Sequence, residues 1–397
     1  MQLYYIICVS SQIYGCYNQI RIIFIFISKM DKRATKLAQI IVDHSVKVKK
    51  GDNVVLTSSD FTGQDLITEC YRLCLEKGAN VYLDIFGTNF EIGRADFSDL
   101  YKLFISTASK KQLTTQPEIM KKIVDWGDKF IRITSIHNPN FLDPVDKKKL
   151  SLWQNTFYPL FNELVKKDWL LTYFPTEGTA ANAGMSLEDF TDYYYNASIV
   201  DYAKMDKEIK PLQDIMDKGK IVTIIAEGTN LKFSIAGRLS AGVGSGKRNI
   251  PDGECYIAPI EDTAEGYITF FNPQIDRGTE VDGIYLEFSK GKVVDYKASK
   301  NKAHLDAVFS AHAGNKRLGE FGIGMNHDIQ QYIKQIIYDE KIAGTIHLAL
   351  GKSHFHKRGG GDNKGTIHWD MIKDLRHKGS IVMIDDIEII RDGKVLV

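Results

Sequence analysis

The stretch "GDNVVLTSSDFTGQDLITECYRLCLEKGANVYLDIF", Gly51–Phe86, decides the fold. Its first part, "NVVLTSS" (53–59), is the apolar, β-branched kind of run that a buried strand uses. "GQDLITECYRLCLEKG" (63–78) then changes to helical spacing, with Cys70 and Cys74 four apart as two small core residues on one helix face. "NVYLDIF" (80–86) returns to a strand pattern. A strand, a helix and a strand joined by short turns make a unit whose two strands run parallel. Upstream, "MDKRATKLAQIIVDHSVKVKK" (30–50) reads as an amphipathic helix with Leu37, Ile40, Ile41 and Val48 in register. Downstream, two more amphipathic stretches and "KFIRITSI" (129–136) repeat the alternation to about Leu142. Residues 141–178 continue it with a long helix and another strand, closed by Pro175. Helices are expected over Ser186–Ala197 and Met205–Lys218.

After Ile221 the texture changes. "IVTIIAEG" (221–228), "NLKFSIAG" (230–237), "EGYITFFN" (265–272), "VDGIYLEFSKGKVVDYKAS" (281–299) and "SIVMIDDIEIIRDGKVL" (380–396) are short strands punctuated by Gly, Asn and Asp turns. "SKGK" and "RDGK" read as hairpin turns. Helices are expected to interrupt the strands around Asn301–Ala313 and Asp328–Lys341. The fold expected is therefore α/β, with an N-terminal parallel α/β domain (30–218) and a C-terminal β-rich α+β domain (219–397).

Composition narrows the function classes. The chain has 397 residues, and its 51 Lys plus Arg against 50 Asp plus Glu leave a net charge of +1. That balance gives no basic footprint for nucleic acid. The five cysteines, Cys8, Cys16, Cys70, Cys74 and Cys255, form neither a Cys-x-x-Cys pair nor a disulfide framework, which fits a reducing, cytoplasmic setting. The first 29 residues are apolar and aromatic, but Arg21 and polar residues break them into runs well short of the roughly 20 that span a bilayer. No membrane association is expected. Residues 1–29 are expected to be non-native upstream sequence ahead of a domain start at Met30.

The chemistry concentrates near the C-terminus. Five of the ten histidines, His347, His354, His356, His368 and His377, fall within 31 residues. "AGTIHLALG" (343–351) reads as a strand with Thr345, His347 and Ala349 on one face and Ile346, Leu348 and Leu350 on the other. In "GTIHWDMI" (365–372), His368 and Asp370 leave the same face of an extended chain while Trp369 leaves the opposite one. One His-x-Asp alone reads as a solvated strand edge, but with His347 the set reaches two imidazoles and a carboxylate, enough to hold a transition metal. Two glutamates stand upstream. Glu254 follows a Pro-Asp-Gly turn in "NIPDGECYIAP" (249–259). Glu320 sits among Gly319, Gly322 and Gly324 in "KRLGEFGIGMN" (316–326), where the backbone can approach a site closely.

From Met30 onward the chain resembles the thermophilic metallo-aminopeptidases, the group that contains aminopeptidase T and aminopeptidase S. The motifs that carry the likeness occur in one order: "VKVKKGDNVVL", "PDGE", "LGEFGIG", "HLALG" and "IHWD". The resemblance implies that Glu254, Glu320, His347, His368 and Asp370 are ligands of a two-metal centre, with Glu320 bridging and catalytic. One position departs: three residues after the glycine of the "ALG" motif the family usually shows tyrosine, and here it is His354. His354 is carried with the metal candidates, as a substitute ligand, a hydrogen-bond partner of metal-bound water or an exposed side chain. Oxygen and imidazole ligands without thiolate suit two divalent ions, Zn, Co, Mn or Fe. Two such ions sharing a water bring its pKa towards roughly 7, and coordination of a free α-amine restricts cutting to the first peptide bond. The implied activity is removal of the N-terminal residue from short peptides, with broad side-chain tolerance, by a homodimer.

Other readings compete. "AGVGSGKRN" (241–249) lacks both the first glycine and the Ser or Thr of a Walker A loop, so it reads as a mobile connection whose Lys247 and Arg248 could face a substrate carboxylate. "KRGGGDNKG" (357–365) reads as a flexible loop. His347, His368 and Asp370 alone would satisfy a mononuclear non-haem iron ring-cleaving dioxygenase, for which Glu254 and Glu320 are not needed. A catalytically silent peptide-binding relative is the third reading.

Overall fold

The computed structural model describes residues 6–7, 23–24, 30–85, 98–138, 145–242, 246–276, 278–354 and 357–397. Apart from the paired strands Ile6–Ile7 and Ile23–Phe24, the first 29 residues lie outside that description, and with them the expectation about their origin. Among the described residues no helix is long and apolar enough to cross a membrane.

The deciding stretch folds as its pattern predicts. Strand Asn53–Ser58 leads to helix Gln64–Glu76 and then to strand Asn80–Ile85, parallel to the first with Val54 opposite Val81. The helix buries Leu66, Ile67, Cys70 and Cys74 in one cluster with Val54 and Leu56. It stops at Gly78, whose φ of 75° is the left-handed conformation that ends a helix at little cost to glycine. Strands Lys129–Ser135 and Asp168–Phe174 extend the sheet in parallel. The fifth strand, Asn249–Ile250, comes from the C-terminal half and pairs in parallel with Asp168–Phe174.

That crossover corrects one expectation. Arg248 donates to the Lys167 carbonyl at 2.8 Å and lies 5.3 Å above the Trp169 ring, so its guanidinium is engaged in joining the halves and not in facing a substrate. Lys247 stands 3.9 Å from the Asp206 carboxylate.

The C-terminal half holds an eight-stranded and a five-stranded sheet, both antiparallel within the half, with Phe233 of one edge-to-face on Phe321 of the other at 5.4 Å. Both hairpin turns form as read. Lys290 and Gly291 have φ of 49° and 73°, and Asp392 and Gly393 of 50° and 77°, the paired positive φ values of a type I′ turn.

Two other readings are corrected. The helix expected over Asp328–Lys341 is reduced to the single turn Ile336–Asp339. Local side chains capture the backbone instead: Asn326 accepts from the Asp328 amide, and Asp339 accepts from the amides of Ile333 and Gln335 at 2.8 and 2.7 Å. "KRGGGDNKG" is a packed loop and not a loose one. Asn363 donates to the carbonyls of Gly314, Arg317 and Leu318, and Gly365 packs so closely on Gly351 that a Cβ would come within 2.7 Å of its Cα.

Candidate metal centre

The site lies on one face of the five-stranded sheet. Its strands run in the order His368–Asp374, Thr345–Gly351, Leu318–Gly324, Glu254–Ile257 and Ala241–Gly242, each antiparallel to the next. The register sets Gly322 between His347 and Tyr256, and Ala349 between Glu320 and Asp370. Residues directly opposite share a face, so Glu254, Tyr256, Glu320, His347, His368 and Asp370 all project to one side. The other side carries Cys255, Ile257, Phe321, Ile323, Leu348, Leu350, Trp369 and Met371, all buried in the core. Alternation of polar and apolar residues thus sorts ligand candidates from core on four adjacent strands.

Small residues make room between them. A Cβ on Gly322 would lie 2.0 Å from Nε2 of His347, so that imidazole rests directly over the glycine. Nε2 of His347 is 3.2 Å from Glu254 Oε2 and 3.2 Å from Glu320 Oε1. The other oxygen of Glu320, Oε2, is 3.2 Å from His354 Nε2 and 3.8 Å from His368 Nε2, and His368 is in turn 3.3 Å from Asp370 Oδ1. Two groups of potential ligand atoms result, Glu254–Glu320–His347 and Glu320–His354–His368, each with its atoms within 4.8 Å of one another. Glu320 belongs to both.

The surroundings differ along the cluster. His347 is fully buried, whereas the His354 and His368 side chains are 43% and 25% exposed. Nδ1 of His347 faces the Glu340 carbonyl at 3.1 Å, and Nδ1 of His368 faces the Lys352 carbonyl at 2.6 Å. A carbonyl only accepts, so each Nδ1 donates, and in the neutral ring the Nε2 lone pair is left pointing at the carboxylates. The His354 ring stands 4.8 Å from that of His368 and 5.5 Å from that of Tyr256.

The electrostatics favour positive charge at the centre. Burial opposes charge on His347, yet its contacts with Glu254 and Glu320 outweigh burial and raise its pKa well above the usual range. The same contest, won by Asp370 and Glu320, raises His368 to about 10. Glu320 and Asp370 are pulled below the ordinary carboxylate range despite their burial, by the facing histidines. Beneath the cluster, burial and the neighbouring carboxylates push Glu340 up to about 7 against the pull of Lys341.

These residues fit a divalent ion. Glu254 Oε2, Glu320 Oε2 and Asp370 Oδ1 are buried and face the imidazole Nε2 atoms of His347, His354 and His368 at 3.2, 3.2 and 3.3 Å without a hydrogen bond among the described residues; when those rings are neutral a cation between oxygen and nitrogen relieves the cost of burying the carboxylates. The donors are oxygen and imidazole only, as expected from the sequence. All six candidates, Glu254, Glu320, His347, His354, His368 and Asp370, come together. His356 lies outside the described residues. Three neighbours escaped the sequence reading: Tyr256, which the strand alternation from Glu254 could have found, and Glu340 and Lys341, for which no local pattern exists.

The chain matches the thermophilic metalloprotease (M29) family over residues 30–395. Aminopeptidase AmpS of Bacillus subtilis is 24% identical over 372 residues, which cover 83% of this chain and 88% of the relative. Aminopeptidase 2 of Geobacillus stearothermophilus is 23% identical over 368 residues, 82% of this chain and 85% of the relative. The structure of wild-type AmpT from Thermus thermophilus superposes with a TM-score of 0.74 at 20% identity, covering 92% of this chain and 99% of that one, which shows a shared fold.

Proposed function

Because the chain belongs to the thermophilic metalloprotease (M29) family and is a metal-dependent peptide hydrolase, we propose that it is an aminopeptidase working through two divalent ions. Glu254 and His347 would hold one ion, His354, His368 and Asp370 would hold the other, and Glu320 would serve both. The observation that carries this reading is the split of Glu320, one oxygen toward His347 and the other toward His354 and His368. A carboxylate divided between two imidazole groups is what a bridging ligand requires. Zn, Co, Mn and Fe all suit the donor set.

When bound, the ions supply Lewis acidity toward the scissile carbonyl and a water of lowered pKa. The protein's own residues do the rest. The carbonyls of Glu340 and Lys352 orient His347 and His368, and the buried face keeps water from the Glu254 side. The partly exposed His354 and His368 side marks the direction from which a peptide enters. A neutral free α-amine would take a ligand position on that open side that an N-acetylated terminus cannot take, which favours a free N-terminus. The substrates are short peptides with broad side-chain tolerance. Residues 219–397 are the catalytic unit, residues 30–218 flank it, and the protein works as a cytoplasmic homodimer.

The test uses protein starting at Met30, stripped of metal and reloaded separately with Zn, Co, Mn and Fe. Metal-dependent release of leucine from free but not N-acetylated leucyl peptides is the expected result. One iron per chain with oxygen consumption would replace the proposal with the ring-cleaving dioxygenase, and metal binding without turnover on any peptide would replace it with a silent binder.

A further inference from the structure

Lys341 has no solvent exposure, and its ammonium lies within reach of the cluster: Nζ is 3.1 Å from Glu254 Oε1 and 2.5 Å from Glu340 Oε1. Its backbone passes across the site sheet over Gly324, where a Cβ would come 2.2 Å from the Ile342 carbonyl oxygen and 2.8 Å from the Lys341 carbonyl carbon. The Lys341 amide donates to Tyr338 and its carbonyl accepts from Asn326, both at 2.9 Å, so the main chain that carries the ammonium is itself held.

A buried cation is an unfavourable neighbour for a site that collects cations, because like charges repel strongly where water is excluded. Its geometry gives a reason for its presence. A glutamate can offer a metal either or both of its oxygens. Lys341 occupies Oε1 of Glu254, and the remaining oxygen, Oε2, is the one near His347 and without a hydrogen-bond partner among the described residues. We propose that Lys341 is a positioning residue: by holding Oε1, it fixes Glu254 as a ligand through Oε2 alone and sets the geometry of the deep half of the metal centre. The inference rests on the two-metal reading above.

The sign of the effect on metal binding separates this role from its rival. A lysine present only as counter-charge to the carboxylates repels the ions, so its removal tightens binding. A lysine that positions a ligand loosens binding when removed, by roughly 10- to 100-fold for one partner of a metal-ligating group. Zinc binding by the full chain and by its Lys341→Met variant is measured by equilibrium dialysis against a competing chelator, with circular dichroism melts as the folding check. One ion is expected to bind about 10- to 100-fold more weakly in the variant and the other to change little. Unchanged or tighter binding of every ion overturns the proposal. Should Lys341→Met not fold, Glu340→Gln loosens the grip on Nζ at constant volume and is expected to weaken the same ion several-fold; no weakening again overturns it. Wild-type stoichiometry judges the two-metal reading separately. A single ion per chain would end that reading, and the ratio of variant to wild-type affinity would still decide Lys341.

Discussion

The two halves of the candidate centre use the same kinds of side chain in opposite surroundings. On the deep side, Glu254 and His347 are enclosed, a buried lysine grips the glutamate, and a glycine lies under the imidazole. On the open side, His354 and His368 are partly exposed, and His354 comes from the loop segment after the Thr345–Gly351 strand. The difference teaches that a ligand set does not define a site by itself. Close-packed neighbours are expected to hold the deep half in one geometry, whereas the solvent-facing half is expected to tolerate substitution better.

The comparison can be broken at its hinge. Glu320→Gln removes the one carboxylate common to both halves, and both are expected to fail together, with metal content and peptide turnover falling to background by elemental analysis and leucine release. If half of the metal remained, Glu320 would not join them.

Gly322→Ala strikes only the deep half. Its methyl group would overlap the His347 ring, so a loss of about 1–3 kcal/mol in stability is expected from overpacking, together with displacement of His347. Urea unfolding and metal content measure the two effects, and an unchanged wild-type metal content would show that the ring can move aside.

Acidity separates the metal-free from the loaded protein. His368 titrates at about 10 in the folded chain against ~6.5 when unfolded, so its ion pair with Asp370 stabilises fully below ~6.5 and is lost as pH rises through about 10. Glu320 and Asp370 are lowered, so their contribution is present above the ordinary carboxylate range and is lost on acidification. The metal-free protein is therefore expected to melt at progressively lower temperature from neutral pH to pH ~10, whereas bound metal, which competes with those protons, flattens the decline. Parallel melts with and without metal test this; identical slopes would deny the linkage.

The smallest effect belongs to the open half. His354→Tyr installs the residue that the family resemblance leads one to expect there, and we expect a change in the order of preferred metals with turnover altered by no more than about 10-fold. Metal-specific turnover curves read it directly. A complete loss would make His354 as indispensable as the candidates on the deep side and erase the contrast.

How much of this was legible differs by element. The βαβ unit of Gly51–Ile85, the type I′ turns at Lys290–Gly291 and Asp392–Gly393, and the shared face of His368 and Asp370 all follow from spacing, because strand alternation, helical period and positive φ are local properties. The Asp328–Lys341 helix failed because Asn326 and Asp339 offer the backbone other hydrogen bonds. The glycine-rich 357–365 loop looked mobile because composition does not reveal that Asn363 will find three carbonyls.

The sequence alone therefore determined the parallel α/β and β-rich halves, which rest on residue type and short spacing, and the family likeness, which in turn implied the ligand candidates. Only the tertiary structure decided that the two oxygens of Glu320 face different histidines, that one half is deep and the other open, and that Lys341 meets Glu254. Those facts depend on which strands become neighbours and in which register. Pairing between residues 254, 320, 341 and 347 is settled by packing of the whole sheet, across separations at which local preference has no influence.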